Sequence, residues 1–200
     1  MDIFLESERL ILRRFTPDDV DNLFELDSDP EVMRYLTGGP GTPREEIERD
    51  CIPAYLNYYE QFEGYGFWVA LEKSTGNFLG WFHFRPGPSD RIDQPELGYR
   101  LRKSAWGKGY ATEGSQALID KGFTELGVQR VIASTYQDNA GSRRVMEKCG
   151  LRLIRSYHLM PDELREMFGI TNPELFDGDD VEYAITKSEW EAQRASPHRS

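Results

Sequence analysis

The 200-residue chain has little cysteine, little histidine and a shortage of positive charge, and each deficit removes a class of function. Its two cysteines, Cys51 and Cys149, cannot furnish a four-cysteine metal site, and a reducing cytosol argues against their pairing. The three histidines, His83, His158 and His198, show no metal-ligand spacing. No metal is expected; His83 and His158 are read as packed or surface histidines, and His198 lies in a polar tail. Lys and Arg total 24 against 35 Asp and Glu, a formal net charge of −11 with an isoelectric point near 4.8. That sign excludes a protein that lives on nucleic-acid phosphates. It serves solubility, and it would favour cationic partners. Long apolar runs are also missing: Phe67–Leu71, among the longest, falls far short of the ~20 residues that span a bilayer. The opening MDIFLESERL has no basic segment followed by an apolar stretch, so no secretory signal is expected. The expected location is the cytoplasm, with no membrane partner.

What is present is a globular composition, 38% hydrophobic and 12% aromatic, at a length that suits one domain without disulfide or metal staples. No repeat or linker divides it. Residues 1–194 are expected as a single domain and 195–200 as a disordered tail. Residues 9–15 read as a strand. Thr16-Pro17-Asp18-Asp19 reads as a helix start, with Thr16 as cap, proline next and acids in the first turn. Asp29-Pro30 opens a second short helix. Thr42-Pro43-Arg44-Glu45 fits a capping box opening a third, with Ile47, Cys51, Ala54, Tyr55, Tyr58 and Phe62 inward. Pro53 should kink or split that helix. Strands 67–73 and 78–85 form a hairpin. Then come strand 96–101, a glycine turn, a helix, strand 130–135 and helix 139–148, which Gly150 stops. Strand 151–158, an acidic stretch 161–180, strand 180–186 and a short closing helix complete a mixed α+β pattern of about seven strands.

Chemistry concentrates between Glu96 and Leu151. Strand, glycine turn and helix present free backbone N–H groups at a helix N-terminus to an anion. Gly107 and Gly109 allow close backbone approach and positive φ. Lys108 and Arg102 add positive charge in an acidic chain. Neither common phosphate fingerprint fits. A P-loop needs Ser or Thr where Gly109 stands, and a dinucleotide turn needs a third glycine where Thr112 stands. A tight turn that binds nothing has the same local sequence.

The turn has a companion. Trp106-Gly-Lys-Gly-Tyr-Ala-Thr-Glu113 is followed at Asn139 by Asn-x-x-Ser-x-x-Val-x-Glu-Lys-x-Gly-Leu, ending at Leu151. With the opening Glu8-Arg9-Leu10-Ile11-Leu12-Arg13, this pair of motifs resembles the GNAT superfamily of acyl-CoA N-acyltransferases over residues 7–190. More narrowly, it resembles the branch that includes the ribosomal-protein N-terminal-alanine acetyltransferases. The resemblance implies a GNAT-like single α+β domain: a mostly antiparallel sheet with flanking helices and one parallel pair, 96–101 and 130–135, that splays around acetyl-CoA. It implies that the backbone of Tyr99, Arg100 and Leu101 pairs with the pantetheine arm as an added strand would. Arg102, Gly107, Lys108, Gly109, Tyr110, Ala111 and Thr112 would surround the pyrophosphate. Asn139 and Ser142, which share a helix face, would border the thiol end. Trp106 stands where many relatives carry Gln or Arg, and is read as packing under the turn.

Acyl transfer from a thioester needs a neutral amine, a donor for the oxyanion and a donor for the departing thiolate. The backbone N–H near Tyr99 is the oxyanion donor the resemblance implies. Glu96 is the candidate base, directly or through water, although a carboxylate at ~4.3 needs burial to raise it. Many family members donate to the thiolate from a tyrosine four residues after the Ser142 position. Here that position is Met146, so Ser142 or a water serves, with Tyr136 as fallback. The implied function is direct transfer of acetyl from the co-substrate acetyl-CoA to a primary amine in a ternary complex. The acceptor would be a protein N-terminus or a small cationic amine. Residues 161–180, with seven acids and one base, would form a lip attracting it. Tyr55, Tyr58, Tyr59 and Phe62 supply either an opposite wall or core packing. A catalytically silent acyl-CoA-binding sensor or regulatory module is the alternative, permitted by the missing tyrosine. Monomer and homodimer both fit.

Overall fold

The computed structural model describes residues 2–86, 91–160 and 178–195. Eight strands form one sheet: β1 (Ile3–Glu6), β2 (Leu10–Arg14), β3 (Gly66–Glu72), β4 (Phe78–Pro86), β5 (Pro95–Leu101), β6 (Arg130–Tyr136), β7 (Arg152–Tyr157) and β8 (Asp180–Thr186). Their order is β1-β2-β3-β4-β5-β6-β8-β7. Every neighbouring pair is antiparallel except β5 and β6, which run parallel and share a single register pair, Glu96 with Ile132. Strand β1 is the addition to the seven strands expected. Four residues give too short an alternation to read; the strand is held by pairing with β2 and by Phe4, stacked 3.7 Å from the Trp68 ring.

Side chains alternate across the sheet, and each face has its own layer. On one face Leu10, Leu12, Trp68, Phe82, Phe84 and Leu97 pack under α5 (Tyr110–Glu125) through its Leu118, Ile119 and Phe123. The approach depends on two small residues of α5. A Cβ on Gly114 would lie 2.4 Å from the Phe82 ring, and one on Gly122 would lie 2.7 Å from the Phe84 ring. Helix α6 (Ala140–Lys148) joins the same layer through buried Met146. On the opposite face Val69, Leu71 and Trp81 pack against Leu23 and Leu26 of α1 (Val20–Asp27) and Val32 of α2 (Pro30–Met33). Ile47 and Ile52 complete that layer from the segment containing α3 (Arg44–Glu46) and α4 (Ile52–Gln61). The chain closes with α7 (Lys187–Ala195).

Two local expectations resolve differently. The helix is not broken at Pro53: a π turn over Ile47–Cys51 leads directly into α4, with Pro53 as its second residue. The capping box at Thr42 does not form. Pro43 is the cap of α3, and the Thr42 hydroxyl donates to Asp27 Oδ2 at 2.7 Å. Thr16 does stand at the cap before Pro17 as expected, and its N–H donates to Asp19 Oδ2 at 2.9 Å. Most of the acidic stretch, 161–177, and residues 196–200 lie outside the described residues.

Asp19 is 2% exposed and binds the Arg13 guanidinium through both oxygens at 2.7 Å. Burial pushes its carboxyl up, but Arg13, the Thr16 N–H and Asn22 together hold it below the ordinary carboxylate value. A depressed folded value contributes stability above the unfolded pKa, ~3.9, and that contribution is lost as pH falls through the folded value. Asp19→Ala should therefore cost about 3–5 kcal/mol in urea unfolding at neutral pH, because it strands the Arg13 charge. The gap between wild type and variant should narrow as the medium is acidified below pH ~4. A gap that stays constant across that range would assign the loss to packing.

Candidate active site

Gly107 and Gly109 both hold positive φ, 72° and 85°, as a tight turn from strand to helix requires. No atom lies within 4 Å of the point where a Gly107 Cβ would be, so the loop is open on that side. Gly109 caps α5 in the left-handed conformation, and the helical ladder begins with Glu113 N on Gly109 O at 3.0 Å. The N–H groups of Tyr110, Ala111 and Thr112 therefore point out of the helix end with no acceptor inside it. The loop is anchored from both ends. Trp106, 45% exposed, donates its indole N–H to Leu101 O at 2.7 Å, so it pins the turn to the end of β5 rather than packing beneath it. Arg9 donates to Lys108 O at 3.0 Å, and Glu113 binds Ser7 Oγ and Arg9 Nε, both at 2.7 Å.

Only part of the expected positive charge faces this cradle. Lys108 is exposed beside it and, with Arg102, lines a cavity of about 510 Å³. The Arg102 guanidinium is paired with Glu25, and Arg100 is paired with Asp27 at 2.5 Å and lies over the Trp81 ring. The Arg100 side chain is thus engaged with α1 and not with the cradle. The Tyr110 side chain turns away, packing under Arg9 with its hydroxyl on Glu72, and Thr112 O accepts from Cys149 Sγ.

β5 is paired to β4 along its whole length, while its other edge has a partner only at Glu96. From Leu97 to Leu101 that edge faces the gap between β5 and β6; β8 covers the far edge of β6 from Arg130 to Tyr136. An open strand edge beside an N–H-rich helix end is a slot for an extended amide chain ending in phosphates.

The two faces of β5 carry different chemistry. Tyr99 projects toward α6, where its hydroxyl lies 2.9 Å from Ser142 Oγ. Asn139 caps α6, accepting from Ser142 N at 3.2 Å and donating to Thr135 Oγ1 at 3.1 Å. Asn139 and Ser142 thus share the first turn of α6, with the Asn139 side chain engaged as the helix cap. Met146 is 3% exposed in the core, and Tyr136 stacks on Tyr35 with ring centroids 6.1 Å apart. On the other face Glu96 accepts from Arg85 at 3.1 Å. Burial pushes its carboxyl up, opposed by Arg85 and reinforced by Glu182.

His83 is the residue the sequence reading missed. It lies on β4 opposite Gly98, and a Cβ on Gly98 would sit 2.4 Å from its Nε2. That nitrogen is buried with no hydrogen-bond partner among the described residues, 3.9 Å from Glu96 Oε2. Burial, then the charges of Arg85 and Arg100, hold the imidazole well below its ordinary value and so neutral. The one available signal was the Gly98 position across a hairpin-like pair, which only the register reveals. The aromatic helix divides. Tyr59 is core, whereas Tyr55 stacks on Phe67 at 4.0 Å beside Trp81 on the Glu96 face.

Comparison with known proteins places this geometry. The model of the acetyltransferase (GNAT) domain family matches residues 9–152. An FsC-acetyl coenzyme A-N(2)-transacetylase of Aspergillus fumigatus is 35% identical over 88% of this chain and 73% of its own length. The structure of a GNAT-family acetyltransferase from Bacillus anthracis superposes with a TM-score of 0.71 at 26% identity, covering 94% of this chain and 99% of its own. A ribosomal L7/L12 α-N-protein acetyltransferase in complex with coenzyme A has the same fold, with a TM-score of 0.73 at 19% identity over 92% of this chain and 98% of its own. Among the described residues no helix is long and apolar enough to cross a membrane. With an open strand edge, a glycine cradle at a helix N-terminus and a family match over most of its length, the chain belongs to the GNAT acetyltransferase family, as an acyltransferase whose co-substrate is acetyl-CoA.

Proposed function

We propose that the chain transfers the acetyl group of acetyl-CoA to a primary amine of a small molecule or peptide, by direct attack in a ternary complex. The observation that carries this reading is the division of β5. Glu96 stands on one face, where the strands begin to part, and Ser142 stands by the other, bonded to Tyr99. An amine can then approach from one side of the thioester while the sulfur leaves on the other.

In this reading the open edge from Tyr99 to Leu101 holds the pantetheine arm, and the N–H groups of residues 107–112 hold the pyrophosphate. The N–H near Tyr99 stabilises the oxyanion. Glu96 takes the amine proton, directly or through water, and its raised value matches it better to that task. Ser142 hydrogen-bonds the leaving sulfur. The name of the Aspergillus relative supports an amine nitrogen, N(2), as acceptor. A panel of polyamines, aminoglycosides, short peptides and N(2)-amines, read by thiol release and mass spectrometry, tests the reading. It predicts one acetyl group on an amine nitrogen; acetyl-CoA turnover with no amine in the panel would contradict it.

Three substitutions separate the roles. Gly109→Asp places a side chain and a negative charge in the cradle at a left-handed position, so acetyl-CoA should no longer raise the melting temperature. A preserved shift would remove the cradle from the reading. Glu96→Gln keeps the shape and removes the base. Its kcat should fall about 10²-fold or more with acetyl-CoA affinity unchanged. In wild type, kcat/KM should rise with pH in two steps, as the raised Glu96 carboxyl ionises and, at higher pH, as the acceptor amine loses its own proton; the lower step should vanish in the glutamine variant, and a lower step that persists acquits Glu96. Ser142→Ala should lower kcat about tenfold or more, the worth of a hydrogen bond to a charged partner, with little change in acetyl-CoA affinity. An unchanged kcat would make Ser142 purely structural.

A further inference from the structure

Tyr99 and Ser142 are 43 residues apart in sequence and come from opposite walls of the gap, one from β5 and one from the first turn of α6. Their oxygens are 2.9 Å apart, and the Tyr99 hydroxyl also donates to Ser142 O at 3.3 Å. The phenol is held in place by its ring, which packs against Phe82 at 5.8 Å. Burial raises its pKa, so it keeps its proton through the physiological range and remains a donor. Cys149, the other titratable group acting on it, is pushed up to about 12 by burial and stays a neutral thiol.

Two hydroxyls at this distance share one proton between them and have one to spare. When Ser142 donates to Tyr99, the phenol proton goes to the Ser142 carbonyl, and the pair is closed on itself. When Tyr99 donates to Ser142 Oγ, the serine proton is free for a third atom, and the serine oxygen is still satisfied. Without the phenol, a serine that turned its proton outward would leave its oxygen with no donor. Asn139 fixes the serine backbone at the same time, through the cap bond to Ser142 N.

We propose that Tyr99 is a positioning residue acting through Ser142: its phenol donates to the serine oxygen and so aims the serine proton at the sulfur of the bound coenzyme A thiolate. Both protons stay on their hydroxyls, and no bond is made or broken at Tyr99. This rests on the proposed role of Ser142 in acetyl transfer, and assigns a second residue to it.

The experiment compares wild type, Tyr99→Phe, Ser142→Ala and the double variant in two assays. The first titrates the thiol of bound coenzyme A by its ultraviolet thiolate band, corrected with the desulfo analogue, and needs no turnover. The second measures kcat and acetyl-CoA affinity with the best amine found. Tyr99→Phe should raise the bound thiol pKa and lower kcat tenfold or more, with acetyl-CoA affinity within twofold of wild type. In the Ser142→Ala background the same substitution should change neither quantity. A normal thiol pKa and kcat in Tyr99→Phe would overturn the proposal. Additive losses in the double variant would also overturn it, since Tyr99 would then act independently of Ser142. If wild type acetylates no amine but the thiol titration shows the non-additive pattern, the transfer reading fails while the hydroxyl pair stands as a thiolate site.

Discussion

The parting of β5 from β6 after one shared register pair is the constraint on which the rest of the molecule depends. A buried strand edge normally finds a partner, because unpaired N–H and C=O groups are costly away from water. Here β4 covers the far edge of β5 and β8 the far edge of β6, while the two edges that face each other pair only at Glu96 and Ile132. The edge that remains is open where it meets the glycine turn and the α5 N-terminus, which also leaves its first N–H groups without partners. The unsatisfied groups are thus collected in one slot. A ligand that is an extended amide at one end and a pyrophosphate at the other satisfies both sets.

The strand's period of two then sorts the chemistry. Glu96, Gly98 and Arg100 look toward the helices before β3; Leu97, Tyr99 and Leu101 look toward α5 and α6. The face of Glu96 carries a carboxylate shifted upward by burial, a neutral imidazole and a tier of aromatic rings. The face of Tyr99 carries two hydroxyls and a helix cap. A one-residue slip of β5 would exchange the two sets, so the full register with β4 is as much a part of the site as any side chain.

The sequence made the local features legible. Gly107 and Gly109 could be read because positive φ is a demand on a single residue, and the helix start at Thr16-Pro17 because a cap acts within three residues. What escaped depends on partners distant in the chain. His83 is defined by the absent Cβ of Gly98 on the next strand, and Tyr99 by a serine on another helix. Arg102 looked like a charge for a phosphate, but Glu25 of α1 claims its side chain, as Asp27 claims that of Arg100. Thr42 lost its capping role to the same Asp27. Strand β1 escaped because four residues are too few to show a period.

The central claim is that the open edge of β5 and the N–H groups after Gly107 bind one ligand together. Hydrogen exchange resolved to single amides, with and without coenzyme A, tests it most directly. Free protein should exchange fast at the unpaired amides between Leu97 and Leu101 and at those of residues 107–112, because they lack acceptors. Coenzyme A should slow both groups together, well beyond the change in the other loops. Protection confined to one group, or spread evenly over the chain, would contradict the account.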